Sequence, residues 1–218
     1  MRERVIPALR FSALTRFYDP LLAGVLREST WKAQLVAQVD ATAGTRVLDL
    51  GCGTGTLTLL LAQAEPDAHV AGVDADPEAL ERARAKAAAA GTTIELVEGM
   101  SSSLPFPDAA FDRVVSSLLF HHLTLEGKRA TLAEARRVLR PNGELHIADW
   151  GRPHDPLMRA AFLPVQLLDG FATTTDNVRG ALPALVAAAG FDPVRETRRR
   201  RTVFGTLTFL LARAGGAR

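Results

Sequence analysis

The segment from Val47 to Gly55, with the sequence VLDLGCGTG, constrains the fold of this chain more than any other. Apolar residues around Asp49 indicate a buried strand, and the apolar stretch that begins at Thr56 indicates a helix directly after the glycines. Glycine permits positive φ and lets a ligand approach bare backbone. The N-terminus of the following helix presents unpaired N–H groups and a positive dipole end. The segment therefore predicts a strand, a tight turn and a helix that together bind a ligand.

Two aspartates accompany this turn. Asp49 lies within the buried strand, where a carboxylate is costly unless a positive or hydrogen-bond-donating group meets it. Asp74 ends the next predicted strand, about 20 residues past the glycines, where an acidic residue accepts ribose hydroxyls. In open α/β sheets, nucleotide-like ligands bind in the crevice outside the carboxyl ends of the strands. These features together predict a site for such a ligand.

The sequence DLGCGTG at residues 49–55 resembles motif I of the class I methyltransferases that use S-adenosylmethionine. It is most similar to the branch that includes the ubiquinone and menaquinone biosynthesis C-methyltransferases and many small-molecule methyltransferases. The resemblance extends over residues 40–150. Two alternatives stay open. One is an unliganded α/β turn, and the other is a dinucleotide dehydrogenase, whose usual spacing is G-x-G-x-x-G instead of the Gly51-x-Gly53-x-Gly55 found here.

The composition excludes several classes of function. The 218 residues suffice for one α/β domain with small additions, and a net charge of +2 is too small to indicate a nucleic-acid partner. Cys52 is the only cysteine and no Cys/His spacing is typical of a metal site, so we expect no metal. The sequence lacks an apolar stretch of membrane-spanning length and a signal-peptide pattern. We therefore expect a cytoplasmic protein without stable membrane insertion.

Strand and helix patterns alternate after residue 44, which predicts a parallel sheet. Strands are expected at 45–50, 69–74, 93–97, 112–117 and 144–149, and helices at 55–64, 77–90 and 126–139. Two last strands, near 193–200 and 202–212, have so short a link that they must pair antiparallel. With the resemblance, this predicts a Rossmann-like three-layer α/β sandwich. Its mostly parallel seven-stranded sheet has the order 3-2-1-4-5-7-6 and ends in an antiparallel hairpin.

Two segments lie outside this alternation. Residues 1–43 have helical apolar patterns and are expected to form a helical leader before the methyltransferase domain at 44–218. The resemblance implies that such a leader covers the ligand crevice. Residues 151–177 contain several prolines and Gly170 around an apolar patch at 162–168, which predicts a lid-like insertion. A further helix is expected over 177–189.

The resemblance also implies which residues contact the cofactor. The turn residues would lie against its methionine portion, Asp49 would meet its ammonium group, and Asp74 would accept both ribose hydroxyls. Related proteins often carry an acidic residue where this chain has Met100, so adenine recognition departs from the family pattern here. The expected contacts are Tyr18, Asp49, Gly51, Cys52, Gly53, Asp74, Ala75, Met100, Ser101 and Ser116.

His121 and His122 follow the fourth predicted strand and are the catalytic candidates. The family places residues near the departing methyl group at this strand end, and the pKa of histidine suits proton transfer near neutral pH. His121 is nearer the strand and is the preferred base. The alternative is that both histidines only shape the loop. The Asn/Asp-Pro-Pro-aromatic motif of amide and nucleobase N-methyltransferases is absent, which argues against DNA adenine methylation.

Four consecutive arginines, residues 198–201, form the strongest charge run of the chain. Alternate side chains of a strand face opposite sides, so the run does not predict a single basic patch. A solvated strand edge is the simpler interpretation. Binding of an anionic substrate or of RNA is the alternative.

These patterns predict an S-adenosylmethionine-dependent methyltransferase that acts on a small-molecule acceptor. The apolar patch at 162–168 favours an apolar or aromatic acceptor. The alternatives are quinone-ring C-methylation and a protein that binds the cofactor without transferring a methyl group. Macromolecular methylation is disfavoured because the charge is modest and no added binding domain is visible. The oligomeric state is not predicted.

Overall fold

The computed structural model describes residues 28–215, and Tyr18 and the rest of the predicted leader before residue 28 lie outside the described residues. A 3₁₀ turn covers Phe120–His122. The helices are α1 (Glu28–Val39), α2 (Thr56–Ala64), α3 (Pro77–Ala89), α4 (Leu125–Val138), α5 (Pro156–Ala161), α6 (Leu163–Asp169), α7 (Phe171–Arg179) and α8 (Leu182–Ala188). The strands are β1 (Arg46–Leu50), β2 (His69–Asp74), β3 (Glu95–Glu98), β4 (Phe111–Ser117), β5 (Leu139–Trp150), β6 (Phe191–Thr202) and β7 (Gly205–Ala214).

The seven strands form one sheet in the order β3-β2-β1-β4-β5-β7-β6. Neighbouring strands from β3 to β5 pair in parallel, whereas β7 is antiparallel to both β5 and β6. The predicted strand order and the closing antiparallel hairpin are therefore confirmed. Because β1 to β5 run in parallel, the residues that follow each of them meet at one edge of the sheet.

Helices cover both faces of the sheet and give the three layers. Along β1, Val47 packs in one hydrophobic cluster with Trp31 of α1 and Leu57 of α2. Leu48, the next residue, packs in the other cluster, which includes Leu132 of α4. This alternation is the two-residue period of a strand that is buried on both faces. It also directs Asp49 toward the face that α1 and α2 cover.

Two expected boundaries are wrong. Strand β5 begins at Leu139 instead of residue 144. The Pro141–Gly143 segment, expected as a turn before the strand, lies within it, where the pairing with β4 shifts register. The single helix expected over 177–189 is two helices. Gly180 has the left-handed φ of 74° that ends α7, and α8 begins two residues later with a proline in its first turn.

The predicted insertion folds into the short helices α5, α6 and α7. Phe162 is buried against Trp150, with ring centroids 5.4 Å apart, so part of the apolar patch belongs to the core. Leu167, Leu168 and Phe171 are exposed instead. Within residues 28–215, no helix combines the length and apolar character needed to cross a membrane.

Candidate active site at the carboxyl edge of the sheet

The glycine turn has the backbone that the sequence predicts. Gly51, Gly53 and Gly55 have φ values of 67°, 52° and 72°, which L side chains rarely adopt. A Cβ atom on Gly51 would lie 2.8 Å from Cδ1 of Leu119, so the Leu119 side chain would have to move to admit any other residue there. A Cβ on Gly53 would meet no described atom within 4 Å. Gly53 is therefore the point of the turn that leaves open space for a ligand.

Asp74 lies directly across from this turn at the end of β2. Its Oδ2 accepts the backbone N–H of Gly53 at 2.8 Å, and its Oδ1 accepts the backbone N–H of Asp76 at 2.9 Å. Asp76 in turn caps α3 by accepting the N–H of Glu78. The carboxylate of Asp74 thus joins the end of β2 to the glycine turn and to the first turn of α3. Ala75 beside it is half-buried.

Asp49 is fully buried below the turn. Its Oδ2 accepts the hydroxyl of Thr58 from α2 at 2.7 Å, while its Oδ1 has no hydrogen-bond partner among the described residues. Burial raises the pKa of this carboxyl to about 7, although the Thr58 hydrogen bond and the charge of Lys32 act in the opposite direction. Oδ1 of this buried acid therefore lacks the cationic or donating partner that burial demands.

Cys52 is a packing residue of the turn. Its Sγ would lie 2.9 Å from a Cβ on Gly72 of β2, so the two small residues let the turn and the strand approach each other. Burial raises the pKa of the Cys52 thiol. The thiol is consequently protonated and unreactive at neutral pH.

The other expected cofactor residues also lie at this edge, but two of their hydroxyls already have partners. Met100 and Ser101 are half-buried after β3, and the Ser101 hydroxyl is 2.9 Å from that of Thr131 in α4. The Ser116 hydroxyl, in the buried part of β4, donates to the carbonyl of Leu50 at 3.2 Å. Their contact with a cofactor stays a prediction.

His121 is buried in the 3₁₀ turn after β4 and forms a pair with Asp149 near the end of β5. Its Nδ1 is 2.9 Å from Oδ1 of Asp149. The same carboxylate accepts the backbone N–H groups of Phe120 and Trp150 and the side-chain amide of Asn177 in α7. A carboxylate that accepts these donors requires a proton on Nδ1 of His121. In the neutral form of the ring, this proton leaves Nε2 with a free electron pair.

Asp169, the last residue of α6, faces both histidines. Its carboxylate oxygens lie 3.7 Å from Nε2 of His121 and 3.9 Å from Nδ1 of His122. Burial raises the pKa of Asp169 and, together with the charge of His121, holds the pKa of His122 well below its usual range. One ligand atom from each of the three residues lies within 4.8 Å of the others, a spacing that could hold a cation. The expectation that no metal takes part stays a prediction.

Sequence analysis missed Asp149 and Asp169. The signal for Asp149 was present, because it is an acidic residue in an apolar strand pattern, as Asp49 is. Asp169 carried no such signal. It reaches the histidines only because the insertion folds back over the end of β4.

Comparisons with known proteins agree with this geometry. A family described as a methyltransferase domain matches residues 47–143. A ubiquinone/menaquinone biosynthesis C-methyltransferase from Hahella chejuensis is 38% identical over 72 residues, which are 33% of this chain and 28% of that protein. A crystal structure of a SAM-dependent methyltransferase from Methanosarcina mazei superimposes with a TM-score of 0.68 at 23% identity and covers 84% of this chain and 98% of that chain. These similarities support a class I S-adenosylmethionine-dependent methyltransferase, with the methyltransferase domain at residues 47–143.

An uncharacterized methyltransferase from Synechocystis is 34% identical over 103 residues, which are 46% of this chain and 47% of that protein. The chain thus spans less than half the length of these two curated relatives. The residues at the glycine turn fit the cofactor of the matched family in two ways. Oδ1 of Asp49 needs a donor such as an ammonium group, and Gly53 leaves the space that a ligand against the backbone would fill.

Proposed function

We propose that this protein transfers a methyl group from S-adenosylmethionine to a small apolar or aromatic molecule. The observation that carries the proposal is that Oδ1 of buried Asp49 has no partner among the described residues, while Gly53 in the adjacent turn leaves open space. A buried carboxylate of this kind is stabilised by a cation, and the cofactor of the family carries an ammonium group. When bound, S-adenosylmethionine supplies an electrophilic methyl group on a sulfonium centre.

The residues of the turn would hold the cofactor by complementary contacts. Asp49 would accept the ammonium group, and the backbone at Gly53 would lie against the methionine portion. The oxygens of Asp74 are fixed by two backbone N–H groups and have lone pairs left for both ribose hydroxyls. Tyr18 stays a proposed contact from the family resemblance, and it lies outside the described residues.

His121 would serve as the base for an acceptor that carries a proton on its nucleophilic atom. Asp149 fixes the ring so that the electron pair of Nε2 is available. As the acceptor atom bonds to the methyl carbon, with the electrons of the broken carbon–sulfur bond left on sulfur, Nε2 would take the acceptor proton. Asp149 and Asp169 stabilise the resulting imidazolium. The protein otherwise contributes by holding the nucleophile and the methyl group in line.

The proposed class of acceptor, an apolar or aromatic molecule, rests on the exposed apolar surface around Asp169. Leu167 and Leu168 directly precede Asp169 and are 74% and 49% exposed, and Phe171 two residues later is 50% exposed. Exposed apolar side chains clustered on one segment are typical of a surface that binds an apolar partner. We propose that they bind the acceptor while the insertion closes over it. Quinone-ring C-methylation is the second candidate, because a curated relative carries that activity in its name.

Calorimetry with the purified protein tests the proposal. S-adenosylmethionine and S-adenosylhomocysteine should each bind saturably at one site in the presence of a chelator, because the proposed contacts include no metal. NAD serves as the matched nucleotide control and should not bind. Tight NAD binding without a response to either adenosyl ligand would refute the proposed function.

A further inference from the structure

A cavity of about 310 Å³ is lined in part by Asp149, the residue that contacts His121. It is enclosed by the end of β5, the link between α7 and α8, and strands β6 and β7. Trp150, Leu182 and Leu210 contribute to its apolar lining. Its volume is at the lower end of the range for small-molecule sites. The cavity is separate from the glycine turn, where the cofactor is proposed to bind.

The arginine run of β6 contributes to this cavity through one residue. Arg199 pairs with Thr208 of β7, and both residues line the cavity. Its neighbours Arg198 and Arg200 do not line it, as expected for side chains that alternate across a strand. Because side chains alternate along the strand, Arg199 is the arginine of this run that faces the cavity.

Two further arginines join Arg199 around the cavity. Arg152 follows β5, and Arg179 ends α7. In the part of the chain that the structure describes, neither guanidinium has an ion-pair or hydrogen-bond partner. Arg199 is 3.5 Å from Glu196 and also donates to the carbonyl of Arg152. Three guanidinium groups outnumber the two carboxylates of the cavity, those of Glu196 and Asp149, and favour an anion, because Arg matches the geometry of carboxylate and phosphate oxygens.

We propose that this cavity binds a small anion, namely a carboxylate or a phosphate ester carried on an apolar body. Asp149 lines the cavity and also holds Nδ1 of His121, so the bound anion lies one side chain away from the proposed base. The next step rests on the proposed function: the bound anion is the acidic group of the methyl acceptor. The acceptor would then be an amphipathic acid whose charge the arginines bind.

Binding can be measured with simple probes on the protein saturated with S-adenosylhomocysteine. Phenylacetate and phenyl phosphate represent the two anions, and phenylacetamide is the neutral analogue of similar shape. Both anions should shift the backbone amide NMR signals of Gly151 and Gly180, which line the cavity, in a saturable way. The shifts should weaken as ionic strength rises. Equal binding of phenylacetate and phenylacetamide would overturn the anion site.

Substitutions with a matched control locate the site. Arg179→Gln removes a guanidinium without a described partner and should weaken phenylacetate binding about fivefold or more. Arg199→Gln should do the same, whereas Arg198→Gln removes an equal charge from the other face of β6 and should change the affinity less than twofold. Thermal melting of each variant verifies folding. Equal losses in the Arg198 and Arg179 variants would show only a general charge effect and overturn the proposal.

Methyl-transfer measurements distinguish whether the bound anion is part of the methyl acceptor or a separate effector molecule. If the arginines bind the acceptor, labelled methyl should pass faster to 4-hydroxyphenylacetate than to 4-hydroxyphenylacetamide, and Arg179→Gln should remove the preference. Equal transfer, with phenylacetate still bound, would overturn the acceptor assignment. Failure of S-adenosylhomocysteine to bind would refute the proposed function itself. Normal cofactor binding without discrimination between the anion and the amide would refute only the anion site.

Discussion

The carboxylate of Asp74 accepts the backbone N–H of Gly53 at 2.8 Å, although the two residues are 21 positions apart. This hydrogen bond joins the end of β2 to the point of the glycine turn that is open to a ligand. Asp74 therefore has two roles in the proposed site. It presents oxygens to the ribose, and it holds the backbone against which the methionine portion would lie.

Replacing Asp74 by Ala should weaken binding of S-adenosylhomocysteine. Each lost hydrogen bond to a charged group is worth roughly 1.5–3 kcal/mol, which corresponds to about a 10- to 150-fold rise in Kd. Calorimetry measures the change. Asp67→Ala is the matched control, because Asp67 is an exposed aspartate before the other end of β2. Unchanged affinity in the Asp74 variant would place the cofactor elsewhere.

Replacing Gly53 by Ala should reduce cofactor affinity by about tenfold or more, because the new methyl group occupies the space that a ligand against the backbone needs. Gly44→Ala is the control. Gly44 also has a positive φ of 77° and open space around a Cβ, but it precedes the amino end of β1. Both variants should melt at a lower temperature from the same backbone strain. Only the Gly53 variant should lose affinity, and equal affinities would contradict a ligand at the turn.

The arrangement of the proposed cofactor half of the site could be predicted from the sequence because its signals are local. Strand β1, the glycines and α2 are contiguous, and Asp74 lies at a fixed distance along the chain. The histidine half depends on tertiary folding, which brings Asp149 and Asp169 to His121 from two later segments. The break at Gly180 was missed although glycine after a helix and a following proline are its usual signals.

Asp49 should make the protein less stable as pH rises. Its pKa is about 7 in the folded state against an ordinary value of 3.8. Between these values the native state binds more protons than the unfolded state, so the free energy of unfolding falls as pH rises from about 4 to 7. The contribution is on the order of 4 kcal/mol. Urea denaturation at pH 5 and pH 8 measures the part that falls between these values, roughly 2.5 kcal/mol.

Asp49→Asn is the control for that measurement, since it cannot ionise and keeps the shape of the side chain. The difference in stability between the two pH values should be smaller in this variant than in the parent. The variant should also be the more stable protein at pH 8 without ligand. Identical pH dependence in both proteins would show that Asp49 does not titrate in this window.

The insertion at 151–177 should become protected when the acceptor site is filled. Its short helices α5 to α7 carry the exposed apolar residues beside Asp169, and burial of that surface would slow local opening. Hydrogen exchange can compare the free protein, the S-adenosylhomocysteine complex and the complex with a true acceptor. Peptides from the β6–β7 hairpin provide the internal reference. Exchange that stays unchanged with the acceptor bound would make the insertion a static part of the fold.

Replacing His121 by Gln should lower turnover by about 100-fold or more while leaving cofactor affinity intact, because the variant loses the proposed base. The loss should shrink at high pH for an acceptor that ionises without help. Asp149→Asn should reproduce part of the loss, since it disturbs the Nδ1 hydrogen bond that keeps Nε2 unprotonated. The measurement is kcat across a pH series with an acceptor that the parent protein methylates.

His122→Gln is the matched control for the base. His122 lies against His121 with ring centroids 3.9 Å apart and ring planes tilted by 40°, and burial together with the charge of protonated His121 keeps the pKa of His122 low. It should therefore affect positioning more than proton transfer, with a smaller loss that does not depend on pH. A loss confined to cofactor affinity in the His121 variant would make that residue part of the cofactor pocket. Turnover near the parent value in both variants would leave positioning of the nucleophile as the source of catalysis.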